Sequence, residues 1–246
     1  MSNLLNYPKR SLRLPARTVL PLLVIILVSS GCTAEKALPR KGDRILFLGD
    51  SITELGVKPN GYVTLIKQHF AARNPEPGVE IIGTGISGNK VTDLQQRLES
   101  DVLSKKPTVV VVYIGINDVW HWALNGNGTT KDRYEHGLRD LIKRITDAEA
   151  RVILCTPTVI GEKHDGMNPQ DGLLNEYAEI SRRTARDLRI DVCDLRTIFI
   201  SHLKSNNPAN EEKNVLTYDR VHLNDQGNKL VAESILEVLL RGSVVQ

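Results

Sequence analysis

The stretch from Pro107 to Gly115, PTVVVVYIG, consists almost entirely of apolar residues, most of them β-branched. A strand with one face in water alternates apolar and polar side chains, whereas a parallel strand covered by helices on both faces is apolar throughout. The stretch therefore predicts a central strand of a parallel sheet that is enclosed between two layers of helices.

Strand and helix patterns alternate on both sides of this stretch. Short apolar runs predict strands near residues 44–48, 79–83, 108–114, 151–156 and 190–194. Helical periodicity predicts helices near residues 61–73, 91–103, 131–148, 172–188 and 225–240. The alternation predicts an α/β fold with three layers, α/β/α, built on a doubly wound, flavodoxin-like parallel sheet of about five strands. Ligands of such sheets bind beyond the carboxyl ends of the strands.

The first 31 residues differ in composition from the rest of the chain. Four basic residues between Lys9 and Arg17 precede an uncharged stretch, residues 18–31, which leads into Cys32 through the sequence VSSGC. This order is typical of a secretory signal, and the apolar part is short for a helix that spans a membrane permanently. The small residues before Cys32 resemble a bacterial lipobox, in which the cysteine is lipidated and becomes the mature N-terminus.

We therefore expect a signal peptide over residues 1–31, a tether over 32–42 and the folded domain over 43–246. Lipid on Cys32 would anchor an exported protein to a membrane. Thr33 after that cysteine resembles lipoproteins sent to the outer membrane, with the domain in the periplasm or at the surface. A plain signal peptide and an uncleaved anchor are the alternatives.

The charge balance argues against a nucleic-acid partner. The net charge of +3 falls to −1 once the four basic residues of the signal segment are removed. Nothing that remains resembles the basic surface of a nucleic-acid-binding protein. The spacings of His121, His136 and His164 predict no metal site, the sequence indicates no cofactor, and the oligomeric state stays open.

Two cysteines remain after Cys32. Cys155 and Cys193 each lie in a short apolar run, which predicts buried thiols. A disulfide between them is the alternative, because an exported protein meets oxidising conditions.

The first predicted strand ends in Gly49, Asp50 and Ser51, without a hairpin signal. A turn or helix start at this point exposes the Ser51 hydroxyl at the edge of the sheet, where it is a candidate nucleophile. The alternative is that Asp50 or Ser51 only caps a turn.

The second strand ends in GTGISGN, from Gly83 to Asn89, which matches the G-x-G-x-x-G pattern of dinucleotide-binding proteins. That pattern also needs an acidic residue at the end of the next strand, where this chain has Ile114 and Gly115. We therefore favour another use, in which Gly88 leaves its backbone amide open to a ligand.

Two further motifs carry polar groups. Asn117 follows the third strand, in YIGINDVW, and its side-chain amide either closes a turn or joins the Gly88 amide in an oxyanion hole. Asp219 and His222 precede the last predicted helix, in LTYDRVH. Their three-residue spacing allows the carboxylate to orient the imidazole, which makes His222 a candidate general base.

Taken in order, GDSIT, GISGN, GIND and DRVH resemble the four sequence blocks of the SGNH hydrolases, the GDSL esterase superfamily. The resemblance extends from Arg44 to Leu240, so it covers the whole of the domain at 43–246. Arg220 stands where the last block usually has Gly.

The resemblance implies a serine esterase with a Ser-His-Asp triad. Ser51 is its nucleophile, Asp219 and His222 complete the triad, and the oxyanion donors are the amides of Ser51 and Gly88 and the side chain of Asn117. Ser87, also beside a glycine, falls in the block that the family uses for oxyanion binding.

The sequence after Asn117 suggests the substrate. We interpret DVWHWALNGNGTTKD as a long polar loop in which Trp120 and Trp122 offer aromatic faces to a sugar ring. The alternative is that they pack the end of the strand. Neither this loop nor the one at 161–172 has the apolar surface that a fatty chain would need.

The expected substrate is therefore a short acyl ester, most simply acetyl, on a carbohydrate. A thioesterase, a lysophospholipase and a binding lipoprotein without activity are the alternatives.

Overall fold

The computed structural model describes residue 39 and residues 41–73 and 78–241. The signal peptide expected at 1–31, the lipidation site Cys32 and most of the tether at 32–42 lie outside these residues. Within the described part, no helix has both the length and the apolar character needed to cross a membrane.

Five strands form one parallel sheet in the order β2-β1-β3-β4-β5. They are β1 (Asp43–Gly49), β2 (Val79–Gly85), β3 (Val109–Tyr113), β4 (Arg151–Cys155) and β5 (Asp191–Cys193). Every residue of β3 is buried, as expected for the central strand of an enclosed sheet. The predicted α/β fold with a five-stranded parallel sheet and surrounding helices is confirmed.

Eight α-helices and one short 3-10 helix connect and cover these strands in the described residues. The α-helices are α1 (Ser51–Gly56), α2 (Tyr62–Arg73), α3 (Val91–Asp101), α4 (Ile116–Asn125), α5 (Lys131–Asp147), α6 (Asp171–Leu188), α7 (Leu195–Asn206) and α8 (Asp225–Leu240). The 3-10 helix is Leu103–Lys105. Of the α-helices, α4 and α7 were not predicted from the sequence, whereas at α1 the sequence predicted a turn or a helix start.

Helix α4 corrects the interpretation of the sequence after Asn117 as a long loop. The helix begins after Gly115 and ends at Gly126, which adopts the left-handed conformation typical of a helix C-terminus at a φ of 69°. Its tryptophans, valine and asparagines have modest helix propensity, so composition concealed it. Burial of Ile116 and Val119 against the core stabilises the helix in place of propensity.

The register aligns the ends of the strands. Gly49 pairs with Gly85 on one side and with Tyr113 on the other, so these three strands end at the same edge. A Cβ atom at Gly85 would lie 2.0 Å from the Glu54 backbone nitrogen. Only glycine therefore allows α1 to pack directly on the end of β2, and this contact fixes where α1 begins.

Cys155 and Cys193 are register partners at the ends of β4 and β5. Both are buried free thiols, and burial raises the pKa of the Cys155 thiol well above its usual range. The predicted pair of buried thiols is what the structure contains.

Candidate active site

Ser51 is the first residue of α1, directly beyond the carboxyl end of β1. The Asp50 side chain caps the helix by accepting a hydrogen bond of 2.9 Å from the Ile52 amide. The abrupt change from strand to helix leaves the Ser51 hydroxyl at the edge of the sheet with 8% of the residue exposed. The hydroxyl is therefore sheltered from bulk water but reachable.

A continuous set of hydrogen bonds joins Ser51, His222 and Asp219. His222 Nε2 lies 2.8 Å from Ser51 Oγ, and His222 Nδ1 lies 2.6 Å from Asp219 Oδ2. A proton on Nδ1, facing the carboxylate, leaves Nε2 free to accept the serine proton. The order of groups is that of a serine hydrolase triad.

Backbone amides hold Asp219 in position. Its Oδ1 atom accepts hydrogen bonds of 2.8 Å from the His222 amide and 3.1 Å from the Val221 amide. Burial raises the pKa of Asp219, but the hydrogen bonds from the His222 ring and from these amides outweigh it and leave the pKa below its ordinary value. Asp219 is thus an anion at neutral pH, as required to stabilise an imidazolium.

Two aromatic rings flank His222. The Tyr218 ring stacks on the imidazole, with centroids 5.9 Å apart and planes inclined by 19°, while the Trp120 ring meets it edge-on at 6.4 Å. Tyr218 is 49% exposed, so much of this ring faces solvent beside the site. Sequence reasoning missed Tyr218, although its position next to Asp219 was an available signal.

The structure separates the two tryptophans that the sequence grouped as a substrate rim. Trp120 reaches His222, whereas the Trp122 indole N–H donates to the Thr129 carbonyl at 3.3 Å. A Cβ atom at Gly128 would lie 2.2 Å from the Trp122 ring, so this ring packs on the segment between α4 and α5. Trp122 is nevertheless 41% exposed, and its role in substrate binding stays a prediction.

The two expected oxyanion groups lie in adjacent loops. Gly88 has a φ of +78° in the exposed turn after β2, and a Cβ atom there would contact nothing within 4 Å. Asn117 Nδ2 donates to the Asn89 carbonyl at 3.1 Å, which ties the start of α4 to this turn. A primary amide has a second hydrogen, which Asn117 can offer to a ligand.

Arg97, on α3, connects the ends of β1 and β2, a role that its helical sequence context did not indicate. Its guanidinium donates to the Gly49 carbonyl at 2.7 Å, the Thr84 carbonyl at 2.7 Å and Asn89 Oδ1 at 2.8 Å. One side chain thereby fixes the strand that leads to Ser51 relative to the turn that contains Gly88.

Two buried carboxyl groups lie next to site residues in the chain, Asp50 before Ser51 and Asp118 after Asn117. Sequence reasoning did not identify their burial. Asp118, beside Asn117, accepts from the Val91 amide at 3.2 Å. Burial, followed by smaller effects that include the neighbouring Asp118 charge, raises the pKa of Asp50 to about 7. Burial likewise raises the pKa of Asp118 to about 6.

Ser87 is engaged elsewhere. Its hydroxyl and its amide each donate to Glu54 Oε2 at 2.6 Å, so it is bound to α1, whereas the His222 imidazole contacts Ser51. Over the described ranges, no three His, Cys, Asp or Glu side chains cluster in a way that would hold a metal ion.

Comparison with known proteins gives consistent matches. The model of the GDSL-like Lipase/Acylhydrolase family matches residues 47–230. An acetylxylan esterase of Geobacillus stearothermophilus is 33% identical over 211 residues, which cover 79% of this chain and 93% of the relative. An isoamyl acetate-hydrolyzing esterase 1 homolog of Rattus norvegicus is 25% identical over 76% of this chain and 78% of its own length.

Among solved structures, the crystal structure of the acetyl xylan esterase AlAXEase superimposes with a TM-score of 0.77 and 45% identity. The match covers 79% of this chain and 98% of that protein.

Proposed function

The chain belongs to the GDSL-like lipase/acylhydrolase family and is a carboxylic ester hydrolase, and we propose that it removes acetyl groups from acetylated carbohydrates through Ser51, His222 and Asp219. The observation that carries this proposal is the uninterrupted set of hydrogen bonds from Ser51 Oγ through the His222 ring to Asp219 Oδ2.

The proposed reaction proceeds in two halves. Ser51 Oγ attacks the ester carbonyl while His222 Nε2 takes its proton, and the imidazolium then gives that proton to the departing alcohol. A water molecule, deprotonated by the same nitrogen, attacks the acyl-enzyme, and acetate leaves as Ser51 regains its proton. Asp219 stays ionised and holds the imidazole in the tautomer that both halves need.

Charge that develops on the carbonyl oxygen needs hydrogen-bond donors fixed in advance. We assign this role to the amides of Ser51 and Gly88 and to Asn117 Nδ2. The Arg97 and Asn89 contacts support the assignment, because they brace the turn that contains Gly88 and tie it to Asn117 at the start of α4. Loss of one such donor typically lowers turnover by about 10² to 10³.

The acetyl group is favoured by the comparisons. The two relatives described above are named for esters of acetic acid, on xylan and on isoamyl alcohol, so the acyl group is common to both while the alcohol differs. An acetyl ester needs no apolar cleft, whereas a longer acyl chain gains affinity only where apolar surface covers it, at about 0.8 kcal/mol per methylene.

A groove beside the triad supports a carbohydrate as the alcohol. It has a volume of about 690 Å³ and runs from Tyr218 past Leu55 and Pro59 to the start of α8. Its walls combine the exposed tyrosine ring with side-chain amides, among them Asn214 and Gln226. Flat apolar faces edged by hydrogen-bonding groups match the surface of a sugar ring, and Tyr218, which lines the groove and stacks on the His222 ring, connects the groove to the triad.

The test compares acyl length and alcohol separately. We expect kcat/KM on 4-nitrophenyl esters to be highest for acetyl or propionyl and to fall steeply by octanoyl. Acetylated xylo-oligosaccharides should release acetate with a higher kcat/KM than ethyl acetate. An optimum at eight carbons or more would replace the proposal with a lysophospholipase or lipase function.

We also propose that the chain is an exported lipoprotein attached through Cys32. The basic segment, the short apolar stretch and the Gly31–Cys32 junction support it. Cys32→Ala should release the protein from the membrane fraction or leave it unprocessed. Absence of a fatty-acid label on the wild-type protein would reject it.

A further inference from the structure

The segment that carries Asp219 and His222 lies outside the sheet, in a narrow hairpin. Thr217 and Leu223 form an isolated antiparallel bridge at its base, and the Tyr218 amide donates to the His222 carbonyl at 3.0 Å. Asp219 lies in the turn of this hairpin, and His222 is the residue that pairs with Tyr218. Because a hairpin this short is marginal alone, its placement depends on what holds its base.

One buried carboxylate holds that base. Glu162, in the segment between β4 and α6, is 0% exposed. Its Oε1 atom accepts hydrogen bonds of 2.7 Å from the Leu216 amide, 2.5 Å from the Thr217 amide and 2.7 Å from Thr217 Oγ1. Its Oε2 atom accepts one of 2.7 Å from the Val215 amide.

Backbone hydrogen bonds of Gly161 and Glu162 hold the chain before and after residues 215–217. The Glu162 amide donates to the Glu212 carbonyl at 2.9 Å, and the Gly161 amide donates to the Arg220 carbonyl at 2.8 Å. Arg220 lies between Asp219 and His222 in the chain. The contacts of two consecutive residues therefore reach from before the hairpin to its tip.

The chemistry of this arrangement requires an ionised carboxylate. Three N–H groups and one hydroxyl converge on two oxygens, and an ionised carboxylate offers several acceptor sites without any donor. Hydrogen bonds to a charged acceptor are shorter and about twice as strong as those between neutral groups. A glutamine would direct an NH₂ group against backbone N–H, so either the three donors on Oε1 or the Val215 amide on Oε2 would lose their acceptor.

We propose that Glu162 is a positioning residue for catalysis, which sets the distance of His222 and Asp219 from Ser51 by fixing the base of the hairpin. The proposal rests on the proposed function, because it assumes that these three residues perform the reaction. Catalytic sites tolerate little displacement of their reacting groups, because a misplacement of about 1 Å can lower the rate by about 10².

The test separates positioning from folding. Glu162→Gln, Thr217→Val and wild type are compared by kcat per active site on 4-nitrophenyl acetate, with active sites counted by fluorophosphonate labelling. Thr217→Val keeps the backbone donor and the side-chain volume but deletes one of the four hydrogen bonds. Asp191→Asn is the control, because Asp191 pairs with Arg151 at 2.7 Å at the amino end of β5, the edge of the sheet opposite Ser51.

We expect kcat per site to fall by about 10-fold to 100-fold in Glu162→Gln, with KM changed much less, and to fall by less in Thr217→Val. Asp191→Asn should lower the melting temperature without changing kcat per site or KM.

Unchanged kcat per site in the folded variants would overturn the proposal, even with lowered melting temperatures. If Glu162→Gln does not fold, the kcat per site of Thr217→Val tests the proposal instead. Failure of the proposed function would be recognised separately, because the wild-type protein would then hydrolyse no acetyl ester. The rate of fluorophosphonate labelling would still compare the variants in that case.

Discussion

His222 Nε2 lies 2.8 Å from Ser51 Oγ, although 171 positions of sequence separate the two residues. The contact arises because the sheet places the end of β1 at its carboxyl edge and the hairpin before α8 returns to the same edge. Each residue is positioned independently, Ser51 by the Asp50 cap and the close packing at Gly85, His222 by its hairpin. The hydrogen bond between Ser51 and His222 therefore depends on two separate sets of contacts, one for each residue.

Asp219→Asn should lower kcat by several orders of magnitude while the protein stays folded. An amide at this position favours the wrong imidazole tautomer, and an analogous substitution in another serine hydrolase costs about 10⁴. The measurement is kcat on 4-nitrophenyl acetate together with the melting temperature. A loss of less than about tenfold in a folded variant would mean that Asp219 does not orient His222.

Arg220→Gly should keep activity close to wild type and should not lower stability. Arg220 has a φ of 85°, and the left-handed conformation costs a residue with a side chain about 1–2 kcal/mol. Its ion pair with Glu212, 3.0 Å between Nε and Oε1, is between side chains that are 39% and 48% exposed, so solvent screening limits its contribution to about 0–1 kcal/mol. Relief of backbone strain thus offsets loss of the pair.

Arg220→Ala is the matched control, because it loses the ion pair and keeps the strain. We expect its melting temperature to lie below that of Arg220→Gly. If the alanine variant were the more stable of the two, the strain at position 220 would not be significant.

Asp50→Asn should stabilise the protein increasingly as pH rises from 5 to 8. Burial raises the pKa of Asp50 to about 7 in the folded state, above its ordinary value of 3.8. Such a group contributes stability that is fully present below the unfolded pKa and is lost as pH rises through the folded pKa. Asparagine keeps an oxygen to cap α1 but cannot ionise.

The measurement is the difference in melting temperature between Asp50→Asn and wild type at each pH. Asp132→Asn, at an exposed position on α5, controls for the loss of one negative charge. A difference that stays constant from pH 5 to 8 would contradict the raised pKa.

The parallel sheet was predictable because its signal is local. The valines of β3 and the alternation of strands with amphipathic helices follow directly from the sequence, and so do the motif positions at the strand ends. Helix α4 was not, because its residues have modest propensity and its stability comes from burial of Ile116 and Val119. Helix propensity is a weak signal wherever tertiary contacts determine the secondary structure.

The supports of the site were less predictable than its central residues. Glu162 and Arg97 act through partners 8 to 55 positions away, and Tyr218 acts through a ring contact. A charged residue in a loop or on a helix resembles a solvated one in sequence. Only the fold shows that Glu162 is enclosed by backbone amides and that Arg97 reaches two strand ends.

The central claim is that Ser51 is the nucleophile, and Ser87 provides its internal control. Ser87 also lies beside glycine at a strand end, but its hydroxyl donates to Glu54 at 2.6 Å. The most direct measurement is the mass of the intact protein after reaction with a fluorophosphonate, followed by identification of the labelled peptide, in wild type, Ser51→Ala and Ser87→Ala. We predict one adduct on Ser51 in wild type and Ser87→Ala, and neither adduct nor acetyl ester hydrolysis in Ser51→Ala. An adduct on Ser87, or activity that survives in Ser51→Ala, would contradict the account.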